Sequence, residues 1–196
     1  MQDMHDGMGS SLVTALRGIE HGKMDEAAIV EVLKGCIDDL KLTIDSMEPV
    51  ETDLLLLLAT FRFRLQPRLE SMGIRLRWHA EDVPPMAWLD HRNALHIFRI
   101  FQECFTNIIK HAGATEIRMT TRLQGETVLI TVTDNGKGFI DEADRPRGKG
   151  MANQTSRAKA IGAEVKWSSS AAGTEFQLVL PVTKDKISLG GPLNPS

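Results

Sequence analysis

The stretch T-V-L-I-T-V-T-D-N-G-K-G-F, residues 127–139, decides the fold. Val128, Ile130 and Val132 alternate with Leu129, Thr131 and Thr133, the period of a strand with one face turned to a core. Just upstream, Ile117, Met119, Thr121 and Leu123 keep the same period until Gln124, Gly125 and Glu126 break it, so the two runs predict an antiparallel hairpin. The second strand ends in Asp134 and runs into Gly136 and Gly138. A carboxylate at a strand end can accept a hydrogen bond from an exocyclic amine, and glycines let the backbone pass close to a ligand.

On the N-terminal side of the hairpin, a long helix is expected from about Asp90 to His111, with Leu95, Phe98, Phe101, Phe105 and Ile108 on its apolar side. Glu103, Asn107 and His111 are spaced four apart and share a face, with Lys110 beside them. Asparagine is a mediocre helix former, so Asn107 suggests a specific task such as offering an oxygen to magnesium, against the plain alternative of a solvent-facing stripe. Before this helix, Leu54, Leu58, Phe61, Leu65, Leu69 and Met72 mark another, stopped by Gly73. Ile74, Leu76 and Trp78 then alternate as a strand. On the C-terminal side, Gly148, Lys149 and Gly150 open a helix through Met151, Thr155, Ala158 and Ile161, whose first amides suit an anion. Strands follow near Glu164 to Ser169 and Glu175 to Leu180. The pattern predicts an α/β fold, a two-layer α/β sandwich with a mixed, mainly antiparallel sheet.

The N-terminal part reads differently. Met4, Met8, Leu12, Leu16 and Ile19 recur at helical spacing up to Gly22, and Ile29, Leu33, Cys36, Ile37, Leu40, Ile44 and Met47 form a second stripe ending at Pro49. A helical hairpin is expected, and so narrow a hairpin covers its stripes by pairing with a second copy, which predicts a homodimer. The expected organisation is therefore a hairpin over 1–48, a domain over 49–183 and a disordered tail over 184–196, where Gly190, Gly191, Pro192 and Pro195 cluster.

Composition narrows the function. With 23 Lys and Arg against 26 Asp and Glu, the net charge of -3 supplies no basic field for a polyanion, so nucleic acid is not expected as a partner. The longest apolar run, Leu54 to Ala59, falls far short of the roughly 18 residues that span a bilayer. Cys36 and Cys104 fall on apolar helix sides, which fits free thiols in a reducing compartment. A cytoplasmic location is expected, with any membrane or sensory region upstream of Met1 and the full-length protein anchored in the bacterial inner membrane.

The familiar phosphate motifs do not fit. A Walker loop needs G-x-x-x-x-G-K-[ST], which is absent, the dinucleotide fingerprint needs a third glycine where Asp141 stands, and a calcium loop needs an oxygen-bearing side chain where Gly136 stands. What does fit is an ordered set: F-Q-E-C-F-T-N-I-I-K-H-A at 101–112, D-N-G-K-G-F at 134–139, G-K-G-M-A-N-Q-T-S-R-A-K-A-I-G-A at 148–163 and A-G-T-E-F at 172–176. Over about residues 50 to 182 this resembles the GHKL-type ATP-binding domain of sensor histidine kinases, and most of all the nitrate-sensor and DesK-like subfamily. The resemblance implies the histidine-kinase ATPase fold, with ATP and Mg2+ as cofactors. It also implies roles: Asn107 for the magnesium ion, Glu103 near the γ-phosphate, Lys110 and His111 on phosphate oxygens, Asp134 on the adenine amine and Thr174 near the adenine edge. Gly136, Gly138, Gly148 and Gly150 would shape the pocket and its lid, where Lys137, Arg145, Arg147 and Lys149 read as either added positive charge or solvated loop residues.

The segment H-D-G-M-G-S-S-L, residues 5–12, resembles the acceptor segment of the same subfamily, so the hairpin is read as a truncated dimerisation and phosphotransfer module. By that resemblance His5 is the phosphate acceptor, Asp6 is its base, and an aspartate on the receiver domain of a response regulator is the final recipient. Ser10 stands where many members carry a glutamine associated with dephosphorylating the partner. Only four residues precede His5, where members normally have several helical turns, so a fraying end is expected. Two other readings stand beside this one: a related ATPase or serine kinase of the anti-sigma type, and a dimeric scaffold that binds nucleotide without turnover.

Overall fold

The computed structural model describes residues 16–19, 25, 29, 53–138 and 149–184. The chain divides into two units, Met1–Pro49 and Val50–Ser196. In the first, residues 16–19 and Ile29 are helical, and Leu16 and Ile19 are exposed; apart from these and Asp25, the expected hairpin, including His5, Asp6 and Ser10, lies outside the described residues. So does the expected tail beyond Lys184.

The second unit opens with α1, Leu54–Ser71, which starts where the Asp53 carboxylate accepts hydrogen bonds from the amides of Leu55 and Leu56 at 2.8 and 3.1 Å. Those amides have no partner within the helix, which is why an acidic residue at this position sets its start. Strand β1, Arg75–Ala80, follows, and α2, His91–Asn107, begins at the Asp90 carboxylate in the same way. Phe61 of α1 meets Phe98, Phe101 and Phe105 of α2 at centroid distances of 5.6, 5.8 and 5.4 Å. Each such ring removed from water stabilises by about 1.5–3 kcal/mol, so this cluster holds α1 against α2.

The remaining elements are β2 (Glu116–Gln124), β3 (Thr127–Asp134), α3 (Lys149–Ala160), β4 (Glu164–Ser170) and β5 (Gly173–Pro181). They form one five-stranded sheet in the order β1-β2-β3-β5-β4. β1 and β2 run parallel, as a strand–helix–strand crossover requires, and every other pair is antiparallel. The expected two-layer sandwich with a mixed, mainly antiparallel sheet is the observed fold. Its inner face carries Ile117, Met119, Val128, Ile130, Val132, Phe176, Leu178 and Leu180, all buried beneath the helices.

Two details differ from the reading of the sequence. The buried side of α2 is formed by Ala94, Ile97, Ile100, Phe101, Cys104 and Phe105, while Leu95 and Phe98 are only half-buried, because α2 packs against α1 and α3 as well as the sheet. The α-helical turns also end at Asn107, four residues before His111, and Ile108–Ala112 form a wider π-helical turn that Gly113 closes in the left-handed conformation at φ 63°. The His111 side chain is therefore out of line with Glu103 and Asn107.

Candidate functional site

The sheet register fixes the position of the carboxylate at the end of β3. Val128, Ile130, Val132 and Asp134 alternate on one face, so the period that buries three aliphatic side chains carries Asp134 onto the inner face as well. Asp134 is 7% exposed. Burial pushes its carboxyl group up from the ordinary range, and hydrogen bonds from the backbone amides of Gly136 and Thr174 partly oppose that shift. Its Oδ1 accepts from the Gly136 amide at 2.8 Å, whereas Oδ2 is buried with no hydrogen-bond partner among the described residues. An unpaired buried carboxylate oxygen costs roughly 1–3 kcal/mol or more and demands an explanation, which a ligand donor supplies.

The loop after Asp134 is held on both sides. Asn135 Oδ1 accepts from the amides of Thr115 and Glu116, each at 2.9 Å, and its Nδ2 donates to the Thr115 hydroxyl at 2.9 Å. The Lys137 amide donates to the Ala112 carbonyl at 2.9 Å, which ties the loop to the π-helical turn. A side chain at Gly136 would collide with the Ala112 backbone, so glycine is what lets these two segments touch. Gly173 has φ 127° and lies so close to the Asp134 carbonyl that a Cβ would overlap it, which makes the start of β5 a glycine position as well.

A cavity of about 520 Å³ lies between the helices and the sheet. Cys104, Asn107, Ile108, Lys110, His111, Ala112 and Met151 line its helical side. Val132, Asp134, Lys137, Gly138, Trp167, Thr174 and Phe176 line its sheet side. Its size and mainly apolar wall with a few polar groups suit a nucleoside-sized ligand. The Cys104 thiol is pushed far above its usual range, first by burial and then by the charges of Asp134 and Glu103, so it acts here as an apolar wall.

Of the residues expected at the site, the fold brings Asn107, Lys110, His111, Asp134, Gly138 and Thr174 to this cavity. Gly136 lies just behind it against Ala112. Glu103 is half-buried beside Gly150 at the start of α3 and does not line the cavity. Gly148, Arg145 and Arg147 lie outside the described residues. Reading the sequence overlooked Asn135, Gly173, Cys104, Met151, Trp167 and Phe176. All but Trp167 stood inside quoted motifs, and strand alternation was the signal available for Trp167.

No group of three or more His, Cys, Asp or Glu side chains that could hold a metal occurs among the described residues. The cavity offers the Asn107 carboxamide, which has no partner among the described residues. That donor fits magnesium, which is commonly held by one or two protein oxygens together with water and substrate phosphates.

A two-layer sandwich with an inward acidic residue at the end of β3, facing a helix that bears an asparagine, defines an ATPase class. Residues 92–184 match the family of histidine kinase-, DNA gyrase B- and HSP90-like ATPases. The curated relatives that align over nearly all of this chain are sensor histidine kinases. It is similar to the sensor histidine kinase MctS of Rhizobium johnstonii, 26% identical over 94% of this chain and 43% of that protein. It is also similar to the signal transduction histidine-protein kinase/phosphatase UhpB of Salmonella typhimurium, 27% identical over 92% of this chain and 37% of that protein. The chain thus spans less than half the length of these curated relatives. Among solved structures, the histidine kinase AdeS of Acinetobacter baumannii superposes with a TM-score of 0.60 at 18% identity, covering 91% of this chain and 98% of that one, a likeness of fold. No helix among the described residues is long and apolar enough to cross a membrane.

Proposed function

We propose that the chain binds ATP in the cavity between α2 and the sheet and passes its γ-phosphoryl group to His5. The observation that carries this reading is Asp134 Oδ2, a buried acceptor without a partner among the described residues, on the wall of a nucleoside-sized cavity. An adenine exocyclic amine supplies the donor that it lacks. Asn107 would hold a magnesium ion, whose chemistry is to neutralise charge on phosphate oxygens. Lys110 and His111 line the same cavity and would meet the phosphates.

In the transfer, a neutral His5 imidazole nitrogen forms a bond to the γ-phosphorus as the bond to the bridging oxygen breaks and ADP leaves. Asp6 holds the ring tautomer and takes the ring proton. The phosphoryl group then passes to an aspartate on the receiver domain of a response regulator. The N-terminal helices form the homodimer, and the longer protein is anchored in a membrane by a region outside this sequence.

The test is incubation with γ-labelled ATP and magnesium, comparing the chain with His5→Ala and Asn107→Ala. Acid-labile label that both substitutions abolish supports the reading. Acid-stable label would point instead to a serine kinase, and ATP binding without label, even with an upstream helix added, to a scaffold.

A further inference from the structure

We propose that Trp167 is a positioning residue for the nucleotide base, forming with Phe176 an aromatic wall against which the purine ring rests. This inference depends on the nucleotide reading of the cavity and adds a residue to it. Trp167 lies on β4 directly opposite Phe176 of β5, with ring centroids 5.9 Å apart and planes inclined at 55°. Both rings line the same cavity as Asp134. Across the sheet, Val132, Phe176 and Trp167 form one register row, and Asp134 is two residues along β3 from Val132 on the same face. With strands about 4.8 Å apart and two residues spanning roughly 6.8 Å, the α-carbons of Asp134 and Trp167 are on the order of 12 Å apart. A carboxylate, a purine ring and an indole together fill that interval.

The three tryptophans differ in what satisfies them. Trp88 donates its indole N–H to the Pro181 carbonyl at 2.8 Å and carries the Lys184 ammonium 4.4 Å from its ring centre. Trp78 carries the Arg62 guanidinium at 5.8 Å. Trp167 is half-buried, has no cation against its face, and its N–H has no hydrogen-bond partner among the described residues. A half-buried indole usually finds a partner for that N–H. A purine offers what the open ring face lacks, a flat apolar partner.

The experiment uses the full chain. Calorimetric titration with Mg-ADP gives the wild-type affinity, and the same titration is run on Trp167→Leu and Trp167→Phe, with inorganic tripolyphosphate as a ligand without a base. Trp167→Leu is expected to weaken Mg-ADP by roughly tenfold and Trp167→Phe to recover most of that loss, while tripolyphosphate affinity stays unchanged in both. A second measurement does not depend on how the leucine variant folds: in Trp78→Phe/Trp88→Phe, where Trp167 is the remaining indole, ADP should change the tryptophan emission saturably. Equal Mg-ADP affinities in wild type and both variants, or an emission indifferent to bound ADP, overturn the role of Trp167 and leave the nucleotide site standing. Failure of the wild type itself to bind ADP overturns both.

Discussion

At Asp134 burial disfavours the charged carboxylate, while the donor of an adenine amine requires it. Because the folded carboxyl titrates above its ordinary value of about 3.9, the native state holds more protons than the unfolded chain between those two values. Stability therefore falls as pH rises through that window, and the penalty persists above it. Asp134→Asn is expected to raise the melting temperature of the nucleotide-free protein at pH 7, with the difference from wild type shrinking as pH falls towards 4, and to reduce the further rise that ATP gives the wild type. A thermal-shift series with and without Mg-ATP reads both effects, and a lower melting temperature for the variant at pH 7 would contradict this account of the carboxylate. Cys104 supplies a second prediction. Its buried thiol titrates far above neutrality, so iodoacetamide at pH 8 should label the Cys104 peptide only after denaturant is added, as peptide mass spectrometry would show.

Among the elements, the joint between the end of α2 and the loop after β3 sets the distance between Asn107 and Asp134. Gly136→Ala drives a methyl group into the Ala112 backbone. The expected result is a lower denaturant midpoint together with weaker ATP binding, because one contact serves both. Gly173→Ala adds left-handed strain to a collision with the Asp134 carbonyl and should cost more than about 2 kcal/mol in denaturant unfolding. Gln154 makes the opposite case. Its amide donates to the Ile100 carbonyl at 2.9 Å and ties α3 to α2, but its own Oε1 is buried without a partner among the described residues. Gln154→Leu should therefore change stability by less than about 1 kcal/mol, the lost hydrogen bond offset by the relieved oxygen. These elements also show what the sequence could and could not convey. The hairpin of β2 and β3, with the inward turn of Asp134, was readable because strand alternation is strictly periodic and continues past the last aliphatic residue. The shift to a π-helical turn at Ile108 was not, because it depends on a carbonyl captured by a loop more than twenty residues on. The indole of Trp167 was readable as inward-facing, but its place on the cavity wall depends on β5 lying between β3 and β4, a pairing that local periodicity does not encode.

For the whole molecule, the proposed reaction carries a phosphoryl group from the nucleotide cavity of the second unit to His5, the proposed acceptor. The ordered motifs made the ATPase family legible, since four short patterns with fixed order constrain a fold far more than any one glycine-rich turn. The apportioning of roles within the cavity was less legible: Glu103 shares a helix face with Asn107 in the sequence, yet it stands beside Gly150 away from the cavity wall. The claim on which the rest depends is that this cavity binds ATP through Asp134. The measurement that tests it most directly is a calorimetric titration of Mg-ATP into the wild-type chain and into Asp134→Asn. Losing a hydrogen bond to a charged acceptor predicts an affinity roughly 10- to 150-fold weaker in the variant, with saturable 1:1 binding in the wild type. Equal affinities in the two proteins, or no binding by the wild type, would contradict it.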